Sequence, residues 1–328
     1  MKDIRTGILG MGKRLGSKVV TNKDLEKIVD TSDEWIQSRT GVVERRLIAE
    51  GESVAVLASE AAKEAIKNAG IKPEEIGLII VSTITPEQPL PATASFVQRE
   101  IGATKAGAFD LVVACPGFVY SVTISDPMIR TGMYKYILVV SSDTLSTITN
   151  WEDRGTCVLF ADGAGAAVLG AVEAPRGLLA ASIYNDPTYL NILEIPGGGS
   201  RRPYTEEIIK NKEHLVKMRG NELFKIAVRT MTDVAQEVLE KAGFTIDQVD
   251  HLVPHQANIR ITDAVTEKLK IDPEKAFSNI KYMGNNSSAT IPVSLYDLQA
   301  SGKLKKNDIV LCPTFGAGIS YGAFLIRW

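Results

Sequence analysis

An internal repeat is the feature of this sequence that most limits its possible folds. The stretch from Lys63 to Thr83, KEAIKNAGIKPEEIGLIIVST, reads as the end of a helix, a glycine stop, a turn and a buried strand. The stretch from Gln236 to Gln256 follows the same order, and its Gly243 stands 173 positions after Gly70. A repeat that recurs after about 170 residues is too long to be a solenoid unit, so the sequence predicts a duplicated domain.

A second pair of segments supports the duplication. Residues 130–140 resemble residues 300–311, each with a helix end at a glycine (Gly132 or Gly302) followed by a strand pattern. Both halves alternate helical patterns with β-rich runs, which is typical of mixed or parallel sheets covered by helices. We predict an α/β protein of two pseudo-symmetric halves, residues 1–172 and 173–328, packed as one body.

Composition narrows the class of protein. With 328 residues, 45% of them hydrophobic, the chain has enough apolar material for a large core or two fused ones. A net charge of −2 and a pI near 6.0 argue against a protein dedicated to nucleic acid or to anionic membranes. The apolar runs are too short and too glycine-rich to span a bilayer, so we expect no membrane association.

Cysteine and histidine usage bears on compartment and metal binding. The three cysteines form no CxxC pair, and we recognise no secretory signal pattern, so we expect reduced thiols and a cytoplasmic location. Three histidines and three separated cysteines are too few for a metal cage, so we expect no metal.

Cys115 stands at a predicted strand-to-helix corner, in FDLVVACPGFVYS. Proline is tolerated at a first helical position, because the N–H that it lacks would be unpaired there. A helix N-terminus favours negative charge by up to about 2 kcal/mol, which is enough to lower the pKa of a thiol to about 7. We therefore predict a nucleophile; the alternative is an inert buried thiol, the reading that we give to Cys157 and Cys312.

Three further segments carry candidate site residues. His255 follows a strand in HLVPHQANIR, although a lone histidine is more often structural. Asn285 opens NNSSAT before a helix, which is alternatively a plain turn with a cap. A glycine-rich loop, FGAGISYGAF, contains Ala317 and either directs amides at an oxyanion or is a bend. GILGMGKR and GAGAAVLG fail as nucleotide motifs, because Arg14 replaces the required Ser or Thr in the first and the second lacks an acidic partner.

Taken together, ACPGF, VPHQANIR, GNNSSATIP and FGAGISYGAFLIRW resemble the β-ketoacyl-acyl carrier protein synthase III family of the thiolase-like superfamily. TNKDLEKIVDTSDEWIQSRTGVVERR and EDRGTCVLFADGAGAAVL are also similar to that family, in its order, so the resemblance covers nearly the whole chain. It implies a thiolase-like fold in which the two halves form a layered αβαβα body, and it implies a homodimer.

The resemblance implies a decarboxylative condensation in which Cys115 is the nucleophile and His255 and Asn285 are its partners. An acyl group would pass from acyl-CoA to Cys115, and malonyl-acyl carrier protein would lose carbon dioxide and attack it, giving 3-ketoacyl carrier protein at the start of fatty-acid synthesis. A thiolate suits thioester exchange, and decarboxylation needs two fixed hydrogen-bond donors. The backbone N–H groups of Cys115 and Ala317 would form a second oxyanion hole. No cofactor is implied, since the CoA thioester is a substrate.

The resemblance also implies binding residues. Trp35 and Arg154 would enclose the adenine of CoA, with Arg39 and Thr40 nearby. The acyl pocket would include Phe160 and a Leu90 that reaches in from the partner subunit, where some relatives have a bulky aromatic residue. The carrier protein would be met by the following residues: Lys225, Gln256, Ala257, Asn258, Ile259 and Arg260. The alternative for all these charges is solvated surface.

The alternative functions differ in the fate of the acyl group. Another thiolase-fold condensing enzyme, of polyketide or secondary metabolism, would share every catalytic residue. A cysteine hydrolase using Cys115 and His255 would release free acid, and a non-catalytic binding module would need none of the three polar residues. One departure from the family concerns the fold: Pro127 lies inside the predicted helix after Cys115, where it should kink or break it.

Overall fold

The computed structural model describes residues 4–328, which form strands and helices in alternation. The strands are β1 (Ile4–Leu15), β2 (Lys18–Thr21), β3 (Glu44–Leu47), β4 (Leu78–Ser82), β5 (Gly107–Leu111), β6 (Tyr136–Thr144), β7 (Asp162–Glu173), β8 (Gly177–Asn185), β9 (Leu193–Glu194), β10 (Lys217–Met218), β11 (His251–Leu252), β12 (Ile309–Gly316) and β13 (Ser320–Arg327). The helices are α1 (Asn22–Leu25), α2 (Asp33–Thr40), α3 (Val54–Ala69), α4 (Thr93–Ile101), α5 (Gly117–Arg130), α6 (Arg154–Cys157), α7 (Glu206–Lys210), α8 (Gly220–Ala242), α9 (Ile259–Leu269), α10 (Ile280–Met283) and α11 (Thr290–Ala300).

Residues 4–328 contain two main β-sheets, one of five strands and one of four. The first has the order β1-β7-β6-β4-β5, and the second has the order β11-β12-β13-β8. In the first, β4 runs parallel to β5 and β6, whereas β1 and β7 are antiparallel to their neighbours. The predicted boundary at 172/173 falls in the last two residues of β7, and the second sheet begins at Gly177.

Five layers result from the way in which helices cover these sheets. Helices α5 and α11 lie between the two sheets, where Phe118 and Leu295 share one core with Ile80 of the first sheet and Phe324 of the second. Helices α3 and α4 cover the outer face of the first sheet, and α8 and α9 cover that of the second. The predicted αβαβα body is therefore confirmed, because each sheet buries both faces against helices.

The repeat seen in the sequence is a structural repeat. Gly70 and Gly243 end helices α3 and α8 in the left-handed conformation, at φ 66° and 71°. Gly132 and Gly302 follow α5 and α11 at φ 74° and 72°. Glycine has no Cβ, so it adopts a positive φ at a lower energetic cost than any other residue. This is why both copies of the repeat have glycine at these helix ends.

The structure explains Pro127 and the glycines of GILGMGKR, two features that stand out in the sequence. Helix α5 continues through Pro127 to Arg130, so the expected break is absent. Proline removes only the bond to the carbonyl four residues earlier, and Thr131 N already bonds Pro127 O at 3.0 Å to close the last turn. The glycines of GILGMGKR lie in β1, where a Cβ at Gly10 would be 2.2 Å from Ala69 N of α3. They let that helix approach the strand.

The fold places the candidate residues between the two halves. Cys115 precedes α5 and Asn285 precedes α11, and the two segments are in contact, since Ser287 Oγ lies 3.6 Å from Cys115 Sγ. His255 follows β11, and its N–H bonds Pro313 O of the adjacent β12 at 3.0 Å. Of the helices within residues 4–328, none is both long and apolar enough to cross a membrane.

Candidate active site

The corner at Cys115 is tightly constrained. Ala114 has φ +55°, Pro116 is the N-cap residue at φ −70°, and Gly117 N bonds Ala114 O at 3.0 Å. Pro116, predicted at the first helical position, thus stands at the N-cap, one residue before the first helical residue Gly117, where it still removes no helical hydrogen bond. A Cβ at Gly316 would be 3.0 Å from Cys115 N, so only glycine lets this loop approach the nucleophile so closely.

The thiol of Cys115 is a neutral group in this structure. Burial raises its pKa to about 12, and the charge of Asp143 acts in the same direction, while a hydrogen bond from Ser287 opposes them. This shift is opposite in direction to the lowered pKa that we expected for Cys115 from the sequence. Desolvation of the thiolate is the largest contribution, because the surrounding atoms replace water around the sulfur.

His255 is buried, with 1% of its surface exposed, and its Nδ1 lies 2.6 Å from Thr290 Oγ1. The Thr290 hydroxyl makes no other hydrogen bond within residues 4–328, so it donates to Nδ1 and the imidazole proton stays on Nε2. Burial lowers the pKa of His255 to about 3, which keeps the ring neutral. The ring also meets Phe315 edge to face at 5.8 Å.

Asn285 is held by its backbone and by its own side chain. Its N–H bonds Leu159 O at 2.9 Å, and its C=O accepts from Ala161 N at 2.8 Å. The side-chain Oδ1 accepts from Ser287 N at 2.9 Å. This bond orients the amide, and it leaves Nδ2 as a donor with no acceptor within the described residues 4–328.

Cys115, His255 and Asn285 line one chamber of about 110 Å³. On the other side of Cys115 lies a mainly apolar pocket of about 230 Å³, lined by Ala317 and also by Phe160, which borders both spaces. The structure thus brings together the three predicted catalytic residues, the predicted oxyanion loop and one predicted acyl-pocket residue. The cysteine stands where the two spaces meet.

An outer cleft of about 560 Å³ continues from the chamber. The two spaces share wall residues, among them Met218, Phe224 and Asn258. The predicted CoA-binding residues line this cleft: Trp35, Arg39, Thr40 and Arg154. A path therefore runs from the surface to Cys115, and its walls combine these predicted residues with Met218 and Phe224, which we did not single out in the sequence.

Arg154 and Trp35 are in direct contact rather than apart. The guanidinium carbon lies 4.6 Å from the centre of the indole ring, and Arg154 Nη1 donates to Asp30 O at 2.9 Å. A purine stacked between them would need a separation of about 7 Å, twice the van der Waals contact distance of about 3.5 Å. The geometry therefore requires Arg154 to move before it can enclose an adenine.

The residues predicted to meet a carrier protein divide into two groups. Lys225, Asn258 and Arg260 line the outer cleft. Gln256 is fully buried, with Nε2 donating to Pro254 O and Phe277 O and Oε1 accepting from Ser278. Its prediction as a contact is wrong, because its amide is satisfied inside the protein and has no exposed surface.

The two other members of that set are apolar. Ala257 is buried and lines the catalytic chamber. Ile259 packs against α2, since a Cβ at Gly41 would be 2.7 Å from its Cβ. Neither residue can offer a charge to an acidic partner.

Leu90 lies outside the catalytic spaces of its own chain. It is 82% exposed, in the loop before α4, beside Pro89 of an open groove of about 620 Å³. Ile84 and Ile195 border both this groove and the apolar pocket next to Cys115. The groove is therefore an extension of that pocket towards the surface.

Sequence reasoning missed the residues that orient the catalytic groups. Thr290 and Ser287 belong to the quoted NNSSAT segment, so the only signal available was their nearness to Asn285. Asp143 ends the pattern KYILVVSSD, and nothing in that pattern shows that the carboxylate is buried beside the site. No group of three potential metal ligands is present in residues 4–328.

Comparison with solved structures defines the class. The chain is similar to the crystal structure of 3-oxoacyl-[acyl-carrier-protein] synthase III from Aquifex aeolicus VF5, with a TM-score of 0.91 and 44% identity over 98% of this chain and 100% of that chain. The priming β-ketosynthase from the R1128 polyketide biosynthetic pathway also matches, with a TM-score of 0.91 and 32% identity over 98% of this chain and 96% of that chain. The fold is that of the thiolase-like condensing enzymes.

Sequence comparison defines the family. Models of 3-oxoacyl-[acyl-carrier-protein] synthase III match residues 109–187, and models of its C-terminal part match residues 239–328. A β-ketoacyl-[acyl-carrier-protein] synthase III from Symbiobacterium thermophilum is 47% identical over 100% of this chain and 99% of its own length. The chain belongs to the β-ketoacyl-acyl carrier protein synthase III family and is a condensing acyltransferase, as the resemblance implied.

Proposed function

We propose that this chain condenses an acyl-CoA primer with malonyl-acyl carrier protein, using Cys115 as nucleophile and His255 and Asn285 as hydrogen-bond donors. The observation that carries the proposal is the path from the outer cleft, past these three residues, to an apolar pocket behind the sulfur. A pantetheine arm fits such a path, with its thioester at Cys115 and its acyl chain in the pocket.

The two half-reactions use different groups. In the first, Cys115 attacks the acyl thioester, and the backbone N–H groups of Cys115 and Ala317 stabilise the oxyanion. In the second, malonyl thioester loses carbon dioxide, and its developing oxyanion accepts from His255 Nε2 and Asn285 Nδ2. The bonds to Thr290 and Ser287 support this role, because each leaves a donor proton free.

Both substrates would approach through the outer cleft. Trp35, Arg39, Thr40 and Arg154 would hold the nucleotide end of CoA, with Arg154 leaving the indole to admit the adenine. Lys225 and Arg260 would attract the acidic carrier protein, and the Arg260 guanidinium is supported by Phe224 at 5.6 Å. No cofactor is needed, because thioester exchange and decarboxylation draw only on these groups.

A homodimer is the assembly that we propose. Strand β5 is the edge of the first sheet and pairs only with β4 among residues 4–328. Phe109 on β5 is 38% exposed, and Val112 just after it is 75% exposed. An edge strand with exposed apolar residues favours pairing with another chain, and Leu90 would then extend towards the partner's acyl pocket. Since CoA esters and carrier protein are cytoplasmic substrates, we place the enzyme in the cytoplasm.

The test is an assay of the purified protein with a panel of acyl-CoA primers and malonyl-acyl carrier protein. We expect one carbon dioxide and one free CoA for each 3-ketoacyl carrier protein formed, and no product with Cys115→Ala. Release of free acid without carbon dioxide would favour the hydrolase. Activity only with a polyketide-type carrier protein would favour the polyketide alternative, which the structural match to the R1128 enzyme keeps open.

A further inference from the structure

Ser287 contacts the sulfur of the nucleophile, and neither the sequence nor the comparisons give it a role. Its side chain is buried, and its hydroxyl lies 3.6 Å from Cys115 Sγ, within hydrogen-bond distance for sulfur. It lines the apolar pocket on the acyl side of the cysteine. It is therefore a hydroxyl directed at the reacting atom from a mainly apolar surrounding.

The backbone holds Ser287 in a conformation that serine rarely adopts. Its φ is +54°, and its N–H donates to Asn285 Oδ1 at 2.9 Å. A non-glycine residue with such a φ costs on the order of 1 kcal/mol, and the surrounding structure must compensate. The conformation thus couples the position of the Ser287 hydroxyl to the orientation of the catalytic amide.

A buried carboxylate anchors the next residue. Asp143 Oδ2 accepts from Ser288 Oγ at 3.0 Å and from Ser288 N at 3.4 Å, across the junction of the two halves. Its Oδ1 is held in turn by Thr83 Oγ1 at 3.1 Å and Ile84 N at 2.8 Å. Asp143 is fully buried near the end of β6. Its hydrogen bonds therefore attach the loop that contains Ser287 to the end of a strand of the first sheet.

Acyl transfer needs a group that stabilises the thiolate. His255 has no free ring nitrogen to accept the thiol proton, since Nδ1 accepts from Thr290 and Nε2 carries its proton. We propose that Ser287 is a catalytic residue of acyl transfer, whose hydroxyl donates to the Cys115 sulfur as it becomes negative, and that Asp143 is the residue that positions it through Ser288. The inference rests on the proposed acyl transfer from CoA.

The step balances without any further reactant. The Cys115 sulfur forms a bond to the acyl carbonyl carbon, and the bond from that carbon to the CoA sulfur breaks with its electron pair going to the CoA sulfur. The thiol proton of Cys115 ends on the released CoA. Ser287 keeps its own proton throughout and contributes a hydrogen bond that is stronger to a thiolate than to a thiol.

The test compares Ser287→Ala, Ser287→Gly and the surface control Ser301→Ala by single-turnover acylation with acetyl-CoA, followed by mass spectrometry of the intact protein. We expect both Ser287 variants to acylate about 10- to 100-fold more slowly, as for loss of a hydrogen bond to a charged group, and the control to be unchanged. Glycine accepts φ +54° freely, so a Ser287→Gly rate equal to wild type would show that the hydroxyl is dispensable and would overturn the proposal.

A double-mutant cycle tests Asp143. If Asp143 acts through Ser287, the double variant Asp143→Asn/Ser287→Ala should acylate no more slowly than the slower of the two single variants. A rate reduction in the double variant equal to the product of the two single reductions would overturn the positioning role of Asp143. The rate of Cys115 alkylation by iodoacetamide at pH 9 should also fall in Ser287→Ala, and an unchanged rate would count against donation to the sulfur. A wild-type protein that forms no acyl-enzyme would refute the proposed function itself, which separates the two failures.

Discussion

At the residue scale, the protonation states of Cys115 and His255 define how the site works. Both are neutral because burial raises the pKa of the thiol and lowers that of the imidazole. A site with a resting thiolate–imidazolium pair would have the opposite shifts. The neutral pair instead suits an enzyme whose histidine donates a hydrogen bond, and it yields three predictions.

The first prediction separates the half-reactions. His255→Ala and Asn285→Ala should keep measurable acyl transfer to Cys115, because neither donor serves that step, but condensation should fall by roughly 10² to 10³ for each donor lost. Mass spectrometry follows the acyl-enzyme, and carbon dioxide release follows the second step. If His255→Ala forms no acyl-enzyme, His255 is the obligatory base of a Cys–His pair.

The second prediction concerns the pH dependence of the thiol. The pKa of Cys115 is raised to about 12, so the thiol stays protonated at neutral pH and the thiolate fraction grows as pH rises. Alkylation by iodoacetamide should accelerate about tenfold per pH unit from pH 7 to 10 without a plateau. Cys115→Ala identifies the labelled site, since Cys157 and Cys312 are buried. A plateau near pH 7 would mean an activated thiolate.

The third prediction concerns Thr290. Thr290→Val keeps the shape of the side chain but removes the hydroxyl that holds the His255 proton on Nε2, so malonyl decarboxylation should slow about 10- to 100-fold. Thr290→Ser should retain most of the rate, because it keeps the donor. Carbon dioxide release is the measurement, with acyl-enzyme formation as the internal control. Equal rates for the two variants would argue against the assigned tautomer.

At the scale of elements, the loop before α4 contains Leu90, the residue that we connect with the choice of acyl-CoA primer. Leu90 is highly exposed on its own subunit and is smaller than phenylalanine, so we propose that it leaves room for primers beyond acetyl, branched ones included.

The fourth prediction is that Leu90→Phe shifts the ratio of kcat/KM values towards acetyl-CoA, because the larger ring would fill the partner's pocket. The panel of primers measures this ratio, and Met133→Phe, at another exposed apolar position, serves as the control. Unchanged primer ratios in Leu90→Phe would remove Leu90 from the acyl pocket.

Helix α5 shows how far an element follows from its own residues. Its start was predictable from the proline and glycine after Cys115, whereas its continuation past Pro127 was not. A proline in the last turn removes one bond only, and packing of Phe118, Val122 and Ile129 between the two sheets stabilises the helix on both sides of it.

At the scale of the whole molecule, the open edge of the first sheet leads to the fifth prediction. Light scattering should give twice the chain mass of 35.5 kDa for the wild type, and Val112→Asp should shift the equilibrium towards monomer by placing a charge in the apolar contact. Met133→Asp is the matched control. A wild-type monomer at every concentration would remove the dimer and, with it, the role of Leu90.

Sequence and tertiary structure determined different parts of this protein. The duplicated α/β fold was predictable because glycine stops and hydrophobic runs are local signals, repeated at Gly70 and Gly243 and again at Gly132 and Gly302. The candidate nucleophile was predictable from the strand-to-helix corner, and its partners from the family's motifs.

Only the tertiary structure decided the protonation of Cys115, the tautomer of His255, the burial of Gln256 and the place of Asp143. These depend on neighbours distant in the sequence, as in the bond between Ser288 and Asp143, which are 145 positions apart. Desolvation and hydrogen bonding act through space, so the chemical state of a side chain follows from what the fold packs around it and not from its position along the chain.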